Sequence, residues 1–270
     1  VDLNSRPPWS NKALGRLGEA LREGHTPPTA CPDYAEVMLW HIELAAEVQG
    51  QIATGSWATR DELRATEARR IEKDLLIGSR AKTEDTLVQK LRRQHDLKLN
   101  SIQDIAGVRI DADLLLGEQT NLAREIAEHF GADESAVHDL RDGAHAGYRA
   151  VHVWLRLPAG RVEVQIRTLV QTLWANAFER IADDVGRGIR YGEPVERTPY
   201  PGVSIAEIEE LVSKMREASD AIAVAERQWQ EYADRGDMTM LGVVSMNKAM
   251  MLAAILLTLR GEIDPSKWSL

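Results

Sequence analysis

A single cysteine, Cys31, stands among the 270 residues, so no internal disulfide can form, and a reducing, cytoplasmic setting is expected. No Cys/His spacing suggests zinc, and no glycine-rich P-loop occurs, so any phosphate site must be of another kind. Internal repeats and low-complexity segments are missing, as is the basic–apolar–small succession of a signal peptide. The most apolar stretch, residues 241–259, is interrupted by Asn247 and Lys248. It reads as a buried or partner-facing helix and not as a membrane span. Acidic residues outnumber basic ones, 42 to 33, for a formal net charge of −9. That balance argues against broad, non-specific nucleic-acid binding but leaves room for a local basic patch.

What is present centres on residues 79–168. Val151, Val153, Leu155 and Leu157 alternate with His152, Trp154 and Arg156, the period of a half-buried strand. Val162, Val164 and Ile166 alternate with Glu163, Gln165 and Arg167 in the same way, and Pro158-Ala159-Gly160 between the runs reads as a tight turn. The runs therefore predict a β-hairpin with one apolar and one polar face. Pairing Leu157 with Val162 and Val153 with Ile166 sets His152 opposite Arg167, Trp154 opposite Gln165 and Arg156 opposite Glu163. The polar face is either a solvated sheet surface or a site.

Around the hairpin, helices are expected over residues 11–22, 34–52, 60–73, 83–91, 118–130 and 169–185, with a strand over 105–110. This mixture indicates an α/β or α+β domain. After Pro194, Pro199 and Pro201, Ile208, Leu211, Met215, Ala218, Ile222, Ala225 and Trp229 step by three and four. That seam suits packing on its own domain or on a second chain, whether another copy or a partner. The resulting division is a helical N-terminal extension (1–60), a catalytic domain (61–192) and a C-terminal helical segment (203–270).

Two further stretches carry chemistry. Lys82, Thr86 and Lys90 recur every four residues along the helix that Thr83 is placed to cap; hydroxyl, ammonium groups and helix-start amides suit a polyphosphate. The bland alternative is a solvated basic face. Asp104, at the head of the strand containing Arg109, can hold Mg²⁺ through one carboxylate, with Glu163 as a second acidic group acting as ligand or base. Ideal alternation puts Asp104 and Arg109 on opposite faces, and Gly107 is where the strand could bend to reconcile them.

In order, Ser79-Arg80-Ala81-Lys82-Thr83, Asp104-Ile105-Ala106-Gly107-Val108-Arg109-Ile110, Gly147-Tyr148-Arg149-Ala150-Val151-His152 and Glu163-Val164-Gln165-Ile166-Arg167-Thr168 resemble the successive motifs of the RelA/SpoT-type synthetases. The resemblance covers residues 70–191 and is nearest to the family's small single-domain members, in an actinobacterial and phage-associated branch that includes toxins. It implies a nucleotidyltransferase-like fold, a mixed β-sheet flanked by helices, and transfer of the β,γ-pyrophosphate of ATP to a ribose 3′-hydroxyl. By the same resemblance Arg80 and Arg109 flank the adenine, Lys82, Thr86 and Lys90 hold phosphates, and Asp104 binds Mg²⁺. Glu163 binds metal or helps deprotonate the hydroxyl. Tyr148 stacks on the acceptor base, Gln165 lies in the acceptor pocket, and His152 and Arg167 bind acceptor phosphate or orient the site.

Some positions depart from the family. Gly143-Ala144-His145-Ala146 stands where many alarmone-making relatives carry a lysine, Ala150 replaces a frequent serine, and Glu179-Arg180 replaces Glu-His. The altered loop turns the expected acceptor away from free GDP or GTP, and the resemblance to toxic small members that modify the 3′-CCA end of tRNA implies that end instead, with Arg92, Arg93 and Lys98 as a basic patch for its stem, or simply as a helix end. On this reading the chain is a translation-blocking toxin with an antitoxin partner. The alternatives are synthesis of (p)ppGpp or its adenosine analogue, and a degenerate nucleotide-binding module.

Overall fold

The computed structural model describes residues 1–59, 75–199 and 201–237. The expected helix at 60–73 and the apolar stretch at 241–259 lie outside them. In chain order the elements are α1 (Asn11–Glu23), α2 (Tyr34–Thr54), β1 (Leu76–Ala81), α3 (Glu84–Arg93), β2 (Ala106–Ala112), α4 (Leu116–His129), β3 (Val137–Asp139), β4 (Val151–Leu157), β5 (Gly160–Thr168), α5 (Leu169–Val185) and α6 (Ile205–Asp234). One five-stranded sheet, in the order β1-β2-β5-β4-β3, is accompanied by these helices. This is the α+β architecture expected. Among the described residues no helix is long and apolar enough to cross a membrane.

The chain forms two compact units. The first comprises Val1–Ile110, Leu122–His138 and His152–Ile166. Here α1 and α2 start on side-chain caps: Ser10 accepts from Ala13 N at 3.2 Å, and Asp33 accepts from Ala35 N at 2.7 Å. Such caps satisfy backbone donors that the first turn leaves free. The N-terminal helices share a core with α3, built from Leu14, Leu17, Val37, Leu87, Leu91 and Leu99. Helix α2 also holds β1 directly, with Gln49 Nε2 donating to Ile77 O at 3.1 Å and Ser79 Oγ donating to Gln49 Oε1 at 2.6 Å. The segments that carry Arg80, Lys82 and Lys90 are thus seated on the N-terminal helices.

The second unit comprises Asp111–Asn121, Asp139–Val151 and the described residues from Arg167 onward. Helix α5 begins on a capping box formed by Thr168 and Gln171, and α6 begins on one formed by Ser204 and Glu207. The core of this unit joins Val170, Trp174, Phe178, Ile208, Val212, Ile222 and Trp229.

Three expectations need correction. Strands β1 and β3 were not foreseen, because six and three residues with little β-branched content give no readable alternation. The hairpin closes with only Pro158 and Ala159 between its strands, which shifts the register by two residues. An even shift keeps every side chain on its expected face but changes its partner. Finally, the buried stripe of α6 runs through Ile208, Val212, Ser219, Ile222, Glu226 and Trp229. Leu211 and Ala218 are displaced by one position, while Ala225 is half-buried and packs against the core beside Glu226; the packed face includes two polar residues that apolar spacing cannot reveal.

Candidate active site

In the first unit the chain leaves β1 at Ala81, and Lys82 N donates to Ile105 O at 2.9 Å, tying the start of α3 to the turn before β2. That turn carries Asp104, which therefore precedes the strand and is not bound by its alternation. Lys82 Nζ donates to Asp104 Oδ2 at 2.6 Å and Lys90 Nζ to Asp104 Oδ1 at 2.8 Å. Both oxygens of one carboxylate are thus held by two ammonium groups, one from just before α3 and one from within it. Burial alone would raise the Asp104 pKa, but the two lysines overcome it and pull it from 3.8 to about 2. Thr83 occupies the N-cap position of α3 without a side-chain cap bond. Its hydroxyl lies 3.0 Å from that of Thr86, which donates to Thr83 O at 2.9 Å.

Arg80 is exposed on β1 and Arg109 half-buried on β2. Gly107 lies between the neighbouring backbones: an added Cβ would stand 3.5 Å from Arg80 O and 3.9 Å from Glu163 O.

On the polar face of the hairpin, His152 Nδ1 lies 3.3 Å from Glu163 Oε1, and Gln165 Nε2 donates to Glu163 Oε2 at 2.6 Å. The shifted register sets His152 opposite Gln165 in place of Arg167, and its imidazole reaches diagonally to Glu163 on the same face. Burial would raise the Glu163 pKa and so would the nearby Asp104 charge. The hydrogen bond and charge of His152, with the Gln165 amide, prevail and hold it below the usual carboxylate range. Asp104 and Glu163 are therefore close enough to feel each other, each gripped by its own partners. His138 of β3, which sequence reasoning missed, sets its ring 3.8 Å from that of Trp154, centroid to centroid.

Tyr148 and Arg167 belong to the second unit. Tyr148 is half-buried and packs against the Trp174 cluster. Arg167 is fully buried; its Nε donates to Asp111 Oδ1 at 3.2 Å, and Thr172 Oγ1 donates to the same oxygen at 2.7 Å. Its two terminal nitrogens, Nη1 and Nη2, are buried without a hydrogen-bond partner among the described residues, so only Nε of the guanidinium is engaged.

Asp104 fixes a pH dependence. Its folded pKa of about 2 lies below the ordinary 3.8, so the lysine contacts stabilise the fold fully above about pH 4 and are lost as pH falls toward 2. Their expected contribution at neutral pH is roughly 2 kcal/mol. Denaturant unfolding of wild type and Asp104→Asn at several pH values checks this. The stability gap should close between about pH 4 and pH 2, and a gap independent of pH contradicts the assignment.

Residues 79–181 match the family model described as a region found in RelA / SpoT proteins. The chain is 58% identical to the Mycobacterium tuberculosis H37Rv protein Rv1366 over 271 residues, covering 99% of this chain and 94% of that protein. The chain belongs to the RelA/SpoT family. The Mycobacterium bovis protein Mb1401 is 58% identical with the same coverage. Among solved structures, small alarmone synthetase 1 from Bacillus subtilis shares the fold, with a TM-score of 0.50 at 18% identity over 77% of this chain and 98% of that one. The RelA/SpoT match begins at Ser79, next to Arg80, and takes in α3, the Asp104 turn, the hairpin and most of α5.

Proposed function

We propose that this protein transfers the β,γ-pyrophosphate of ATP to a ribose 3′-hydroxyl. The observation that carries the reading is Asp104 clasped by Lys82 and Lys90 within electrostatic reach of Glu163. Two lysines and two carboxylates so arranged can exchange partners: the ammonium groups turn to the ATP phosphates, and the carboxylates become available to a metal. Hard oxygen donors suit Mg²⁺, and no group of three metal-holding side chains occurs among the described residues. Asp104 and Glu163 would then hold the ion with water and substrate phosphates completing its shell. Bound there, Mg²⁺ supplies neutralisation of phosphate charge.

Everything else falls to the chain itself. Lys82 and Lys90 bind the phosphates, with the Thr86 hydroxyl at the start of the same helix. Arg80 and Arg109, on adjacent strands, offer planar cations to the adenine. Glu163 is held ionised by His152 and Gln165, and a carboxyl with a depressed pKa is a weak proton acceptor. It serves better as a ligand than as a base. His152 and Gln165 orient it, and Tyr148 gives the acceptor base a ring to stack on. Phosphoryl-type transfer needs little beyond such positioning and charge neutralisation.

The acceptor we favour is the 3′ end of tRNA, with a growth-inhibiting role countered by an antitoxin. Both arginines flanking the acceptor loop are engaged internally. Arg141 is bound to Asp139, Leu116 O, Gln119 and Thr120, and Arg149 to Ser219 and Asp220. Neither is left to grip the phosphates of a free nucleotide; Arg92 and Arg93 at the end of α3 and Lys98 beyond it present an exposed basic surface, with Arg92 Nε donating to Arg22 O at 3.0 Å. The second reading, synthesis of guanosine alarmones, draws on the fold shared with small alarmone synthetase 1. ATP labelled on its γ-phosphate, offered with GDP or GTP, with adenosine nucleotides and with deacylated tRNA, separates the two. Label should appear on tRNA and vanish when the terminal adenosine is removed. Label on guanosine nucleotides establishes the second reading, and no transfer to any of them overturns both.

A further inference from the structure

Helix α6 lies outside the matched family region, at residues 205–234 against 79–181, yet it grips the loop that carries Tyr148. The Ser219 hydroxyl, 2% exposed as a residue, donates to Gly147 O and accepts from Arg149 Nε at 3.1 Å. One hydroxyl has one proton to give and lone pairs to accept with, so it can serve both neighbours of Tyr148 at once. Asp220 Oδ1 takes Arg149 Nη2 at 2.5 Å, while Arg149 Nη1 donates to Arg141 O at the other end of the loop. One turn earlier, Met215 O accepts the Trp174 indole N–H at 2.6 Å. Trp174 closes the loop from beneath: Gly147 has φ +92°, and an added Cβ there would sit 2.9 Å from the indole.

Further along the same face, Glu226 accepts from Thr168 Oγ1 at 2.5 Å and from Gln171 Nε2 at 2.9 Å. These are the cap residues of α5, directly after Arg167. The polar members of the α6 stripe are therefore the ones that make its bonds to the Gly147 loop and to the start of α5. We propose that α6 is a positioning element for acceptor recognition, with Ser219 and Asp220 holding Gly147 and Arg149 so that the Tyr148 ring is presented in one orientation. This rests on the reading of Tyr148 as the acceptor's stacking platform.

The test measures transfer from labelled ATP by the full chain, titrating GDP and deacylated tRNA in turn. Variants are Ser219→Ala, Asp220→Ala, Asp220→Glu and, as reference, Tyr148→Ala. Loss of a hydrogen bond to a charged group corresponds to about a tenfold change. Ser219→Ala and Asp220→Ala should therefore raise the acceptor KM about tenfold and leave the ATP KM where it was, and Asp220→Glu should restore much of the loss. Asp220 is itself exposed, so its truncation leaves no cavity, and Asp220→Glu keeps a carboxylate opposite the buried Arg149 and controls for a change in folding. An unchanged acceptor KM in both alanine variants, beside a raised one in Tyr148→Ala, overturns the proposal alone. An unchanged KM in Tyr148→Ala overturns the stacking reading beneath it. A fall in activity with both KM values unchanged, tracking loss of folded protein, reduces α6 to a merely structural element. A wild-type chain that labels neither probe removes the reading and the proposal together.

Discussion

Asp104→Asn should lower transfer by at least 10²-fold to 10³-fold, on the order found for removing one preorganised electrostatic group. Metal-free ATP binding should hold or strengthen. The two effects separate because Asp104 has two kinds of partner. With ATP absent, its carboxylate neutralises Lys82 and Lys90 at 2.6 and 2.8 Å. Those same ammonium groups are the ones placed to take phosphate, so metal-free ATP must compete with Asp104 for them. An asparagine in its place presents no charge, and the lysines become available to the nucleotide without opposition. Transfer, however, also needs a carboxylate to meet the ion on the phosphates, and an amide oxygen is a poor substitute. Equilibrium binding of ATP in the presence of a chelator, beside turnover with Mg²⁺, reads both quantities. If turnover survives, Asp104 has no metal role. If chelator-phase binding falls with turnover, the clasp serves to build the phosphate site and not to compete for it.

The hairpin shows why face is more legible than partner. Alternation along 151–157 and 162–168 fixes which side each residue points to, and a register slip of two residues leaves that unchanged. Partner identity depends on the turn, and Pro158-Ala159 closes one pair tighter than apolar matching suggests. Hence Glu163 and Gln165 were placed on the right face, while His152 was assigned to Arg167 and meets Glu163 instead. Ile105, Val108 and Ile110 after Asp104 make it look like the head of a strand. It lies in the preceding turn, and the need for a bend at Gly107 disappears. What Gly107 does is admit close backbone neighbours on both sides.

Helix α6 shows the converse limit. Ile208, Met215, Ile222 and Trp229, seven residues apart, mark the packed side correctly, and three of them are buried outright. The positions between them cannot be found from hydropathy, because Ser219 and Glu226 are buried through hydrogen bonds and not through apolar character. Likewise, nothing local in Leu14, Leu17 or Val37 announces that they share a core with Leu87 and Leu91. That the residues before 60 support the phosphate helix is a tertiary fact.

Tyr148→Ala should lose most of its activity on the acceptor side alone. Base–aromatic stacking contributes about 1–3 kcal/mol per base, so an acceptor KM raised roughly tenfold to a hundredfold is expected. The ATP KM should stay unchanged. The fold should survive, since Tyr148 is only half-buried and packs at the margin of its cluster while Gly147 and Arg149 remain bound to α6. Tyr148→Phe keeps the ring and should keep the activity, which separates stacking from any contribution of the hydroxyl. The two substitutions together decide the role: recovery in the phenylalanine variant assigns it to the ring face, and failure of both assigns it to the phenol. Should the alanine variant match wild type on GDP and on deacylated tRNA alike, the acceptor does not rest on Tyr148. Another ring pair is His138 with Trp154 on β3 and β4, and substitution at those two positions becomes the informative comparison.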